Sequence, residues 1–100
     1  MIPIKTIEDL IAKHELIEKE LSSGSIDKKT FAEKSKEYSD LNEIVKEAKK
    51  YLSFRNNKLE LQKILEDENT DEELKKMVEN ELNELELENN KNEKKLKLFL

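Results

Sequence analysis

Apolar side chains recur at intervals of three and four residues in three separate runs of the chain, which is the period of an α-helix. In the first run this stripe consists of Ile7, Leu10, His14, Ile17 and Leu21. The run predicts a helix over about residues 4–21. Thr6 with Asp9 resembles a capping pair for its start, and Pro3 would also suit a first turn.

The second run predicts one long helix over residues 28–66, a stretch with neither Gly nor Pro. It follows "SSGSID", residues 22–27, which holds the only Gly of the chain, and Asp27 is a suitable N-cap. At the α-helical rise such a helix would be roughly 60 Å long. The pattern does not decide whether this helix is straight or kinked near Asn56–Asn57. The predicted buried stripe is Phe31, Tyr38, Leu41, Val45, Ala48, Leu52 and Leu59, flanked by Ile44, Tyr51 and Leu65.

The third run predicts a helix over about residues 71–99, after the acidic turn "EDENTDEEL". Thr70 and Glu73 have the spacing of a capping box, and acidic residues suit the positive end of the helix dipole. The predicted stripe is Leu74, Val78, Leu82, Leu85, Asn89, Asn92, Leu96 and Phe99.

Folding the second and third helices against each other brings their stripes together along most of their length. The predicted pairs are Leu61 with Met77, Leu52 with Leu85 or Leu87, Leu41 with Leu96, and Tyr38 with Phe99. Asn89 and Asn92 then lie near Ala48 and Val45, where polar groups in a seam lower stability but fix the register. With the first helix on the open side, the predicted fold is all-α: an elongated three-helix bundle built on an antiparallel coiled coil.

Composition supports long helices and excludes several classes. Charged residues make up 43% of 100 residues, against about 25% in ordinary domains, and one Gly and one Pro cannot supply the turns of a β-sandwich. Cys is absent, so no disulfide or thiolate chemistry is available. No apolar run could span a membrane and no secretory signal is visible, so we expect a cytoplasmic protein.

The net charge of −5 is unevenly distributed. Residues 67–90 hold two lysines against ten carboxylates, a net charge of −8, whereas residues 91–100 carry +3. A strongly acidic segment is a poor surface for a nucleic-acid backbone.

Few residues offer chemistry, and we predict no catalytic, cofactor-binding or metal-binding residue and no small-molecule ligand. His14 is the only histidine and lies in a helical stripe, which favours a packed side chain. Asp67, Asn69 and Asp71 begin like a calcium loop, but Glu72 stands where Gly is needed and Val78 where Glu is needed. We therefore expect a capping turn at this position.

Lys46, Lys50 and Lys58 follow one line of the second helix with Phe54 between them, and Arg55 and Tyr51 flank this line. A basic stripe with aromatics could contact rRNA. The simpler interpretation is that these cations face acids of the third helix, Glu84 and Glu88 among them.

Three segments in this order resemble a known family: "SKEYSDL" on the second helix, "DEELKKMVENELNELE" after the acidic turn, and "KKLKLFL" at the end. Together they resemble the N-terminal domain found in the bacterial peptide chain release factor 1 family. Members of this family are class I translation release factors. The resemblance covers nearly the whole chain.

This resemblance implies a role in translation termination. Members of the family recognise the stop codons UAA and UAG on the ribosome and trigger peptidyl-tRNA hydrolysis through a Gly-Gly-Gln loop. Neither that tripeptide nor the codon-reading Pro-x-Thr occurs here. The resemblance therefore implies a single N-terminal domain, residues 1–100, of a longer factor, without enzymatic activity of its own.

The partners implied by the family are the ribosome at its stalk base, the release-factor GTPase and the remaining domains of the same chain. Leu98, Phe99 and Leu100 would begin the contact with the following domain. Two other hypotheses stay open: a generic coiled-coil tether or dimerisation adaptor that self-associates, and an RNA-binding arm like the helical hairpin of seryl-tRNA synthetase.

Overall fold

The computed structural model describes all 100 residues and contains three helices: α1 (Ile4–Ser22), α2 (Lys28–Glu66) and α3 (Glu72–Phe99). The molecule measures 62 × 25 × 19 Å, and its long dimension is the length of α2. These dimensions confirm the predicted all-α, elongated helical bundle. α2 is helical throughout, including the "RNNK" stretch.

Two helices begin within one residue of the predicted position but have caps that differ from the prediction. α1 begins directly after Pro3, whose carbonyl oxygen accepts a hydrogen bond from the Thr6 amide at 3.1 Å, and no side chain caps this end. α3 is capped by Asp71, which accepts from the Leu74 amide at 2.8 Å. The Thr6 and Thr70 capping predictions are therefore wrong.

Thr70 has a different role in this turn, because its hydroxyl donates to the Ile64 carbonyl at 2.8 Å. It thereby satisfies one of the carbonyl groups that a helix C-terminus leaves without a partner. The predicted cap of α2 is confirmed: Asp27 accepts from the Thr30 amide at 2.7 Å. In the loop before it, Gly24 has φ +71°, a left-handed conformation that favours Gly.

The core lies where α1 and α3 both pack along α2. Because the α1 stripe falls on one helical face, it is buried almost as predicted, with Leu21 half-buried at its end. The buried side chains of the three helices are Ile7, Leu10, His14 and Ile17 of α1, Leu41, Ile44, Val45, Ala48 and Tyr51 of α2, and Val78, Asn92 and Leu96 of α3.

The α2–α3 pairing agrees with the predicted register at Asn92, which lies beside Glu47, between the predicted neighbours Val45 and Ala48. Leu41 and Leu96 belong to one apolar core, as their predicted pairing requires. Tyr38, predicted to lie opposite Phe99, instead stacks on His14 of α1. The aromatic ring therefore belongs to the α1–α2 interface.

Three helices are present over only part of the molecule. α1 lies antiparallel to the first part of α2, and its N-terminal end, at Ile2, lies beside Tyr51. Farther along α2 the molecule consists of α2 and α3. We call this two-helix part, residues 52–88, the arm. Val78 is its only buried residue. Several predicted core positions are consequently exposed at the ends of the molecule or along the arm: Phe31, Leu59, Leu74, Leu87 and Phe99.

Candidate interaction surfaces

The N-terminal end of α1 is attached to both other helices. The Tyr51 hydroxyl accepts from the Ile2 amide at 3.1 Å and donates to the Ile2 carbonyl at 3.2 Å, in a buried environment. The amino group of Met1 forms an ion pair with Glu93 of α3 at 2.8 Å. Hydrogen bonding to this amino group holds the pKa of the Glu93 carboxyl below its ordinary value. These contacts fix where the three-helix part of the molecule ends.

Glu47 and Asn92 form a polar contact inside the α2–α3 seam. Asn92 donates to the main-chain carbonyl of Glu47 at 2.7 Å and to its carboxylate at 2.8 Å. The carboxylate also lies 3.7 Å from both Lys50 and Lys95. The hydrogen bond from Asn92, helped by these cations, lowers the pKa of Glu47, although burial acts in the opposite direction. This arrangement stabilises the ionised carboxylate.

His14 is a packed residue, as predicted. It is buried, its ring stacks on Tyr38 with centroids 4.5 Å apart, and its Nε2 lies 3.3 Å from the Asn42 side-chain oxygen. No Ser or Cys nucleophile contacts it. These contacts hold α1 against α2 and form no catalytic arrangement.

The basic stripe of α2 is mostly engaged within the bundle. Lys58 pairs with Glu86 of α3 at 3.6 Å, and Lys50 pairs with Glu47 of its own helix. The prediction that these lysines face acids of α3 is therefore correct for Lys58, but its partner is Glu86. Neither Glu84 nor Glu88 forms an ion pair. Exposed pairs of this kind contribute about 0–1 kcal/mol.

A groove between α2 and α3 of the arm is strongly acidic. Its floor consists of the half-buried Leu61 and Leu85, and its volume is about 370 Å³. Four exposed carboxylates surround this floor: Glu60, Glu81, Glu84 and Glu88. We call these six residues the acidic groove. Sequence patterning showed the excess of acids but not that Glu60 of α2 joins the three α3 acids.

The turn between α2 and α3 is built by its own acids, as the capping interpretation predicted. Asp67 accepts from the Asn69 amide at 2.9 Å, and Asp71 caps α3. No group of three His, Cys, Asp or Glu side chains in the structure has the arrangement of a metal site.

Apolar side chains are exposed at the C-terminal end of α3. Leu98 is 89% exposed and Leu100 is 57% exposed, whereas the neighbouring Leu96 is fully buried. Phe99 lies beside Glu43 and Ile44 on the surface of α2. No helix is long and apolar enough to cross a membrane.

The structure is thus a two-helix arm on a three-helix base. The chain belongs to the PCRF domain family, whose pattern matches residues 10–100. It is also 65% identical over 100 residues to peptide chain release factor 1 of Pelagibacter ubique (strain HTCC1062). That match spans the whole chain but 28% of the relative. No solved structure gives a significant match.

Proposed function

We propose that this chain is the N-terminal helical domain of a translation termination factor. The observation that carries the proposal is the 65% identity to a peptide chain release factor 1 over all 100 residues, together with the PCRF match. In this proposal the complete protein recognises UAA and UAG on the ribosome and triggers peptidyl-tRNA hydrolysis. Other domains perform both tasks.

Within that protein, the role proposed for the three helices is non-catalytic: contact with the stalk base of the ribosome and with the release-factor GTPase. An elongated body of 62 Å supports this role, because it can reach from one binding site to another. The exposed Leu98 and Leu100 are proposed to pack against the remaining domains of the same protein. The acidic arm does not favour an arm that lies on RNA.

The test compares the complete factor with a variant that lacks residues 1–97, on ribosomes stopped at UAA, UAG or UGA. The complete factor should release peptide at UAA and UAG and much less at UGA. The variant should retain hydrolysis once bound, but it should bind more weakly and respond less to the GTPase. No release by the complete factor would refute the termination role, and an unaltered variant would refute the role of this domain.

A further inference from the structure

The arm presents helix surfaces that no other part of the chain covers. The N-terminal end of α1 lies at the level of Tyr51, and only Met1 and Ile4 border the base of the arm, beside Phe54 and Lys58, so the rest of the arm is open. Met77 is 57% exposed and Leu74 is 43% exposed on α3 of this part. Contiguous exposed apolar side chains mark interaction sites more than scattered ones do, and Met is enriched in protein interfaces.

These apolar positions and the acidic groove form one continuous surface. Met77, Glu81, Glu84 and Glu88 are spaced by four, three and four residues, so they follow one line along α3. The floor beside this line is apolar, made by Leu61 and Leu85. A binding partner would therefore meet apolar contacts along the bottom of the groove and carboxylates at its borders.

The carboxylates of the acidic groove have no cation of their own. None of the four glutamates takes part in any ion pair of the structure, whereas Glu47, Glu86 and Glu93 all do. Three of them, Glu81, Glu84 and Glu88, also belong to the most acidic region of the chain, residues 67–90, which carry a net charge of −8. Their combined potential attracts cations and repels anions.

This charge distinguishes among the possible occupants. A nucleic-acid backbone would be repelled by it. A second copy that bound through the same surface would place like charges opposite each other, which is costly in a symmetric interface. A protein segment with Lys or Arg beside apolar side chains satisfies both the floor and the borders.

We propose that the acidic groove docks a basic, amphipathic segment of a partner protein. The proposal rests on the proposed function, since the partner would be met at the terminating ribosome. It adds which surface of this domain is used and which chemistry recognises it. The apolar side chains of the segment lie over Leu61 and Leu85, and its cations pair with Glu84 and Glu88.

The test measures the affinity of the complete factor for ribosomes stopped at UAA. The variant Glu84→Lys/Glu88→Lys should bind about tenfold more weakly, since charge pairs at an interface contribute at this level. The matched control is Glu15→Lys/Glu18→Lys on the exposed face of α1, which changes the net charge equally and should bind within about twofold of the unaltered factor. Helix content by circular dichroism should be equal in the three proteins, and Glu84→Gln/Glu88→Gln should show an intermediate loss.

A photo-crosslinking amino acid in place of Met77 identifies the occupant on the same ribosomes. A crosslink to a Lys- or Arg-rich protein segment that Glu84→Lys/Glu88→Lys weakens supports the proposal. A crosslink to RNA or to a second copy, or tighter binding by the lysine variant, overturns it. Unchanged affinity of the lysine variant also overturns it, yet the proposed function stands if removal of residues 1–97 still weakens binding.

Discussion

The side-chain amide of Asn92 donates to two oxygens of one residue, Glu47: the main-chain carbonyl at 2.7 Å and the carboxylate at 2.8 Å. Asn92 is 3% exposed, and its own side-chain oxygen has no hydrogen-bond partner. The contact thus lies in the seam between α2 and α3 with one polar atom unsatisfied. Such a contact specifies alignment at a cost in stability.

Replacing Asn92 separates these two effects. Asn92→Ala leaves the Glu47 carboxylate without its amide donor and should lower the free energy of unfolding by about 1–3 kcal/mol. Asn92→Leu should destabilise less, because the new side chain extends the apolar core, but it should weaken the specification of register. Urea denaturation measures the first effect.

Cysteine pairs placed for disulfides in the native and in a shifted alignment of α2 and α3 measure the second effect. Disulfide formation in the native alignment alone, in Asn92→Leu as in the unaltered chain, would contradict a register role for Asn92.

Stability should fall in acid partly through Glu47. Its pKa is lowered from 4.5 by the Asn92 hydrogen bond and by Lys50 and Lys95, so the folded state favours the ionised form. The resulting stabilisation is complete above pH 4.5 and is lost as the pH falls through the lower, folded-state pKa. Glu47→Gln should therefore lose less stability than the unaltered chain between pH 6 and about pH 3.

Urea unfolding across this pH range provides the measurement, with Glu43→Gln, an exposed position of the same helix, as the control. Parallel pH profiles for Glu47→Gln and the unaltered chain would show that the carboxylate is not linked to folding.

The two tyrosines provide a matched comparison for the attachment of α1. Tyr51→Phe removes both hydrogen bonds to the main chain of Ile2 and leaves two buried groups without a partner, a cost of about 1–3 kcal/mol. Tyr38→Phe keeps the ring that stacks on His14 and should be nearly neutral, because the Tyr38 hydroxyl makes no hydrogen bond.

Thermal unfolding and hydrogen exchange at the first turn of α1 should both distinguish these variants. Equal melting temperatures for Tyr51→Phe and Tyr38→Phe would exclude an anchoring role for the Tyr51 hydroxyl.

The start of α3 can be tested residue by residue. Asp71→Ala removes the bond to the Leu74 amide and should cost about 1 kcal/mol, whereas Glu73→Ala should have little effect, because Glu73 caps nothing in the structure. Thr70→Ala should be destabilising for a different reason, the loss of the bond to the Ile64 carbonyl at the end of α2.

Chemical denaturation of the three variants is the measurement. A cost at Glu73 as large as that at Asp71 would restore the capping box that the sequence suggested.

Local patterns predicted most of this fold correctly. The α1 stripe and the Asp27 cap depend on residues within one or two turns of each other, so the sequence contains all the relevant information. The choice between Thr70 and Asp71 as the cap of α3 could not be made from the local pattern, because both residue types are good N-caps; in the structure Asp71 accepts from the Leu74 amide. Thr70 instead bonds to the Ile64 carbonyl at the end of α2.

Long-range placement was harder to predict. Phe31 and Leu59 continue the apolar stripe of α2, but burial requires a neighbouring helix, and nothing in the stripe itself states where α1 ends. Tyr38 is a similar case, since both α1 and α3 offered it an apolar or aromatic partner. The acidic groove needed Glu60 and Glu84 from two helices, which only the alignment of α2 and α3 brings together.

The N-terminal end of α1, beside Tyr51, also divides the molecule into a stiffer and a more flexible part. On one side of this level α2 is braced by two helices, and on the other side by α3 alone, so the arm is a cantilever fixed at its base. Bending stiffness rises steeply with thickness, and a sideways load at the turn would therefore flex the helices just beyond the brace, in the "RNNK" stretch, rather than within the three-helix base. Asn56 and Asn57, which have low intrinsic helix propensity, therefore lie where the bending moment is greatest.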